Sequence, residues 1–115
     1  MAFKVVGDDN APKLEPAWIS GDFDLPDPPV IANGVLFALS TGENAVQKGG
    51  EKTRFTNTHN AVLRALDATT GKELFNSKDA ITTWVHFSGL AIANGQVYVV
   101  DHDSNVYAFC VKPSH

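Results

Sequence analysis

Residues 101–105 have the acidic spacing with which calcium-binding loops begin. The segment reads Asp-His-Asp-Ser-Asn, so oxygen-bearing side chains occupy alternate positions. A loop of that type also needs Gly at its sixth position and Glu at its twelfth, but Val106 and Lys112 stand there. The same segment falls where two predicted strands need a hairpin. We therefore interpret it as a turn and assign no metal ligands.

A glycine-rich stretch, residues 42–53, has a superficial likeness to a phosphate-binding loop. It contains Gly-Gly-Glu-Lys-Thr, in which Glu51 interrupts the required Gly-Lys-Ser/Thr, and no helical pattern follows. The stretch is predicted to be a solvated insertion. Inserted loops often line the functional face of a repeat protein, so contact with a ligand stays open.

The four histidines, His59, His86, His102 and His115, fall at no metal-ligand spacing. We predict that His86 is buried and hydrogen-bonded, the alternative being a place on the functional face. Trp84 has two corresponding interpretations, packing or stacking on a cofactor.

Three acidic residues, Asp22, Asp24 and Asp27, are predicted to act as turn and cap residues. The last two precede a Pro-Pro pair, and the alternative is that they face a central channel. Cys110 alternates with apolar neighbours in a predicted strand, which predicts an inert buried thiol. The sequence therefore assigns no catalytic residue and no metal ligand, and it leaves any cofactor contacts unknown.

Composition excludes several classes of protein. The 115 residues are 43% apolar and 19% charged, with a formal net charge of −4 and one cysteine. These values are typical of a folded globular domain and exclude an internal disulfide. We expect no nucleic-acid partner because no basic cluster is present. We expect no membrane span because no run approaches about 18 apolar residues.

Strand and turn patterns recur along the chain and predict an all-β fold. Two Asn-Gly pairs, at 33–34 and 94–95, favour two-residue type I′ hairpins. The predicted strands are residues 3–6, 13–19, 29–32, 35–40, 61–67, 72–75, 90–93, 96–101 and 105–111.

The predicted strands belong to an internal repeat. Residues 30–38 align with 91–99 at an offset of 61, and residues 62–66 align with 105–109 at an offset of 43. The first copy therefore carries an insertion of about 18 residues, placed within 41–60. Trp18 corresponds to Phe75, since each is a bulky aromatic that ends a strand.

Residues 65–75 read Ala-Leu-Asp-Ala-Thr-Thr-Gly-Lys-Glu-Leu-Phe. This segment resembles the repeat signature of pyrroloquinoline-quinone (PQQ)-type, or quinoprotein-like, β-propellers. That family has Ala-Leu-Asp, a Thr-Gly turn and a strand that ends in an aromatic residue, usually Trp. Phe75 departs from the pattern, whereas Trp18 keeps it in the preceding copy.

The signature has a physical explanation of its own. Asp67 can accept hydrogen bonds from the turn amides of residues 69–71, and Gly71 can take the positive φ that closes the turn. Trp18 and Phe75 are predicted to wedge between neighbouring sheets.

The resemblance implies a partial β-propeller with about two to two and a half four-stranded antiparallel blades. Residues 1–20 would end one blade, 28–78 would form a complete blade with the inserted loop 41–60, 84–111 an incomplete last blade, and 112–115 a tail. A closed ring needs some four to eight blades. We therefore expect a C-terminal fragment that meets the remaining blades or self-associates through exposed strand edges.

The resemblance also implies a function. It suggests a PQQ-binding-like repeat domain within a larger protein, where PQQ and calcium would lie near the axis of a PQQ-dependent dehydrogenase. The alternative is a non-catalytic propeller scaffold for protein–protein interaction in the cell envelope. The resemblance implies a periplasmic location, and we do not expect the chain alone to be active.

Overall fold

The computed structural model describes residues 1–44, 56–86 and 88–110. Within these ranges the regular structure is all strand, which confirms the predicted all-β class. Over the same ranges, no helix has the length and apolar character of a bilayer span. The strands are β1 (Ala2–Val6), β2 (Lys13–Trp18), β3 (Val30–Ala32), β4 (Val35–Ser40), β5 (Val62–Asp67), β6 (Glu73–Asn76), β7 (Ala91–Ala93), β8 (Gln96–Val100) and β9 (Val106–Cys110).

The strands form three antiparallel sheets in which each strand pairs with its neighbour in sequence. The first sheet is β1-β2, the second is β3-β4-β5-β6, and the third is β7-β8-β9. A four-stranded antiparallel meander is the unit from which propeller blades are built. The architecture is therefore consistent with a partial propeller-like all-β fold.

The two Asn-Gly pairs close hairpins of the predicted kind. Asn33 and Gly34 have φ values of 51° and 75°, and Asn94 and Gly95 have 52° and 71°. Positive φ at both central positions defines a type I′ turn, whose twist matches that of the flanking strands. These turns set the register of β3 on β4 and of β7 on β8.

The hydrophobic core lies between the second and third sheets. Leu39 and Leu63 of the second sheet pack with Val97 and Val99 of the third, and all four are fully buried. Val85, in the segment that connects the two sheets, belongs to the same cluster. This packing holds the connecting segment against the end of β4, where the candidate site is found.

Candidate functional site

The signature turn between β5 and β6 has the predicted geometry. Asp67 Oδ1 accepts hydrogen bonds from the amides of Thr69 (2.8 Å) and Thr70 (2.9 Å). The Gly71 amide donates to the Asp67 carbonyl at 2.8 Å, and Gly71 has a φ of 76°. The amides of Thr70 and Thr69 hold the pKa of Asp67 below its ordinary value.

Trp18 joins the first sheet to this turn. Its Nε1 donates a hydrogen bond to the Ala68 carbonyl at 3.0 Å. The indole lies so close to Gly71 that a Cβ at that position would be 2.6 Å from two ring carbons. The predicted wedge between neighbouring sheets is therefore present at Trp18.

Phe75 makes a looser contact at the equivalent place between the second and third sheets. Its ring is tilted against that of Phe109 with centroids 5.8 Å apart, and 43% of the residue stays exposed. An open, mainly apolar groove of about 1060 Å³ lies beside it. The contact is looser because phenylalanine is smaller than tryptophan. In addition, the sequence after Phe109 has no Asp-x-x-Thr-Gly turn on which the Phe75 ring could pack.

Three other segments are hydrogen-bonded to the residues that follow β4. Thr41 donates its amide to the Asp24 carbonyl (3.1 Å) and its hydroxyl to the Leu25 carbonyl (2.7 Å). The Val85 amide donates to the Thr41 carbonyl at 2.9 Å. His59 donates its amide to the Gly42 carbonyl at 2.8 Å. These bonds bring residues 24–25, Val85 and both Gly42 and His59 of the insertion together at the end of β4.

An acid–imidazole cluster forms there from Asp27, Glu43 and His86. His86 Nδ1 is hydrogen-bonded to Glu43 Oε1. The Asp27 carboxylate accepts a hydrogen bond from the Gly89 amide, while its Oδ2 is buried and has no hydrogen-bond partner in the part of the chain that the structure describes. Burial raises the pKa of Asp27, and the nearby Glu43 charge adds to this, against the opposing effects of Gly89 and His86.

Trp84 is a packing residue of this region. It is buried, and its indole stacks on His102 with ring centroids 4.2 Å apart and planes 18° apart. Its carbonyl accepts the His102 amide at 2.8 Å. The contacts favour the packing interpretation over cofactor stacking, since the imidazole already covers one face of the indole.

Residues 101–105 form the turn that the sequence predicts between β8 and β9. The buried Asp101 carboxylate accepts hydrogen bonds from Asn105 N (2.9 Å), Asn105 Nδ2 (3.0 Å), Asp103 N (3.0 Å) and Tyr107 OH (2.8 Å). Burial alone would raise the pKa of Asp101, but the bonds from Asn105, Tyr107 and Asp103 outweigh it and lower the pKa. Both oxygens of the Asp101 carboxylate therefore accept hydrogen bonds from residues 103, 105 and 107, which supports the interpretation of this segment as a turn.

Asp22 and Cys110 are not part of the cluster. The Asp22 carbonyl accepts a bond from Arg64 Nη1 at 3.0 Å. The prediction for Cys110 is wrong: the thiol is exposed because it projects from the side of the third sheet that faces away from the core. His115 and residues 45–53 lie outside the described residues.

Glu43 is the functional candidate that sequence reasoning missed. Its only signal was its position immediately after Gly42, at the start of the insertion. Among the described residues, no group of three or more His, Cys, Asp or Glu side chains has an arrangement that could hold a metal ion.

Comparison of the chain with protein-family models, with curated proteins and with solved structures finds no match.

Proposed function

We propose that this chain is a blade-forming segment of a larger quinoprotein-like β-propeller, and that its own role is to build the sheet assembly. Trp18 carries the proposal. It joins one sheet to the signature turn of the next through the Ala68 carbonyl and close contact with Gly71. A contact of this kind repeats from sheet to sheet in a stacked or radial array. The partners are therefore the remaining blades or another copy of the chain.

The residues that the structure describes do not by themselves fit a PQQ–calcium pair. Calcium takes six to eight oxygen ligands, whereas the cluster offers two carboxylates, one already bonded to His86. Trp84 is buried against His102 and does not present an open stacking platform. In a PQQ-dependent parent protein, other blades would supply most of the cofactor contacts.

A non-catalytic scaffold is thus the function that the contacts favour for the segment itself. A PQQ-dependent oxidoreductase is the second candidate for the whole protein, and one observation favours it. A buried oxygen of the Asp27 carboxylate, beside Glu43 and His86, has no hydrogen-bond partner among the described residues. The family resemblance is also the basis for proposing a periplasmic location.

A titration of the purified chain with PQQ, with and without calcium, tests whether this segment holds the cofactor by itself. Tryptophan fluorescence reports binding, and reduction of an electron-accepting dye, with an alcohol or sugar present as the electron donor, reports activity. The scaffold proposal predicts no saturable quenching and no dye reduction. Saturable, calcium-dependent quenching that Asp27→Asn weakens and Asp103→Asn leaves unchanged would contradict it and support a cofactor site. Asp103 is the matched control because its carboxylate is exposed on a different turn.

A further inference from the structure

The chain contains the same tetrapeptide twice, once in each of its two-residue hairpins. Residues 31–34 and 92–95 both read Ile-Ala-Asn-Gly. Asn33 and Asn94 are both exposed, and both Asn-Gly pairs form type I′ turns with positive φ at each position. Because the local sequence is identical, a difference in reactivity between the two asparagines in the folded chain reports on what surrounds each turn.

An Asn-Gly pair can react with itself in water, which is one reason why asparagine is a thermolabile residue. The glycine amide nitrogen loses its proton to a base in the solvent and attacks Cγ of the preceding asparagine. The N–Cγ bond forms, the Cγ–Nδ2 bond breaks, and ammonia leaves with a proton taken from the solvent, which gives a cyclic succinimide. Water then opens the ring at either carbonyl carbon. The net reaction consumes water, releases ammonia and leaves aspartate or isoaspartate.

Both turns leave room for this attack once they open. A Cβ placed on Gly34 or Gly95 would meet no atom within 4 Å. Neither glycine amide donates a backbone hydrogen bond to a residue that the structure describes. A type I′ turn holds Cγ and the glycine nitrogen on opposite sides of the Cα–C bond, whereas the ring needs them on the same side. The rate of deamidation therefore depends on how easily each turn opens.

The first hairpin is tied to the signature turn. The Gly34 carbonyl accepts the Ala68 amide at 2.9 Å, and the Ala68 carbonyl accepts Trp18 Nε1 at 3.0 Å. Asp67 caps the turn in which Ala68 lies. Opening of the Asn33-Gly34 hairpin therefore breaks a bond to a residue that is itself held in place.

The sequence of the third sheet has no matching cap for the second hairpin. At the repeat offset of 43, Cys110 stands where Asp67 does and Ser114 stands where Gly71 does. A thiol is a weak acceptor and cannot replace a carboxylate as the cap of a turn. Within the described ranges, the Gly95 carbonyl accepts no backbone hydrogen bond. We therefore expect the Asn94-Gly95 hairpin to open more readily than its counterpart.

We propose that Asn94 is a site of spontaneous deamidation, and that the bond between Ala68 and Gly34 protects Asn33 from the same reaction. This inference goes beyond the proposed sheet assembly and does not depend on a cofactor. Isoaspartate at position 94 adds a methylene to the main chain of the turn that sets the register of β7 on β8. The modification therefore weakens the sheet that supplies Val97 and Val99 to the core.

Peptide mapping by mass spectrometry, after incubation of the full chain in mildly alkaline buffer, measures both reactions in one sample. Trypsin separates the two sites because Lys48 and Lys78 lie between them. One net hydrogen bond predicts that Asn94 reacts roughly two- to tenfold faster than Asn33 in the folded chain. The same chain in concentrated urea is the reference, and the two identical tetrapeptides should react there at equal rates.

Two variants test the protecting bond. Ala68→Pro removes the amide that donates to Gly34 and should raise the rate at Asn33 to that at Asn94. Trp18→Phe keeps an aromatic ring but lacks the indole N–H that fixes Ala68, and it should raise the rate at Asn33 by a smaller factor. Asn94 is the internal control in both variants, since its rate should not change. Circular dichroism establishes that each variant is folded.

The wild type alone decides the proposal if Ala68→Pro does not fold. Equal rates at the two sites of the folded chain, or a faster reaction at Asn33, overturn it. So does a folded chain in which Asn94 stays intact while the chain in urea is converted. A difference of the same size in urea would assign the effect to the following residues, Val35 and Gln96, and would also overturn the proposal.

Discussion

The indole of Trp18 lies against Gly71, a residue 53 positions away in the turn of the next sheet. Its Nε1 donates to the Ala68 carbonyl at 3.0 Å. Any side chain at position 71 would collide with the ring, because a Cβ there would be 2.6 Å from Cδ2 and Cε3. The glycine is thus needed twice, once for the turn and once for the contact between sheets.

Gly71→Ala should lower the free energy of unfolding by more than the backbone effect alone. The φ of 76° is unfavourable for alanine, which costs roughly 1–3 kcal/mol, and displacement of the Trp18 ring adds to it. Gly95→Ala is the matched control, since its φ is 71° and a Cβ there meets no atom within 4 Å. Urea denaturation of both variants measures the difference. If both variants lost the same free energy of unfolding, the Trp18 contact would contribute nothing to stability.

Tyr107→Phe should lower the free energy of unfolding by about 1–2 kcal/mol. The hydroxyl donates to the buried Asp101 Oδ2 at 2.8 Å and accepts the Thr82 amide at 3.2 Å, so its removal leaves both groups short of a partner. Tyr98→Phe, measured at low protein concentration, is the control. Among the described residues its hydroxyl bonds Gln96 alone, and the expected change is within about 0.5 kcal/mol. A larger loss in the control would contradict this account.

Asp67 should make the protein less stable in acid. Its pKa is lower in the folded chain than the reference value of 3.8, so its ionised form contributes stability above that value. The contribution is lost as the pH falls through the lowered folded pKa. Asp67→Asn keeps an oxygen for the Thr69 and Thr70 amides but does not titrate there. Urea denaturation as a function of pH should show that the wild type loses more stability on acidification than the variant. Parallel plots of unfolding free energy against pH for the two proteins would refute this.

Asp27 should have the opposite effect. Its pKa is raised in the folded chain, first by burial, so the folded state binds the proton more readily than the unfolded state. Stability from this group is present at low pH and is lost as the pH rises from 3.8 through the raised value. Asp27→Asn should therefore have a larger free energy of unfolding than the wild type at neutral pH, and this difference should shrink as the pH falls. Asp24→Asn removes the same net charge from an exposed position and should show no such gap.

Local features of this protein were predictable because their causes lie within a few residues. Asn33-Gly34 closes its hairpin because these residues tolerate positive φ, and Asp67 caps its turn through amides two and three positions ahead. Strands that follow each other in the chain then pair as antiparallel neighbours, as consecutive strands commonly do. The nine strands of residues 1–44, 56–86 and 88–110, and the all-β class, follow from such short-range preferences.

The cluster could not be predicted in the same way. Glu43 and His86 are 43 positions apart, and they meet because Val85 is bonded to Thr41 at the end of β4. Each residue type alone is common on protein surfaces. Only the packing of the connecting segment into the core makes them neighbours.

Cys110 shows the same division between sequence and tertiary structure. By itself, the sequence determined that Cys110 belongs to a β-strand with apolar neighbours and that its strand repeats an earlier one. The tertiary structure decided that the thiol is exposed, because the second sheet covers one face of the third sheet and the thiol lies on the other. Alternation along a strand distinguishes the two faces, but burial depends on what packs against each of them.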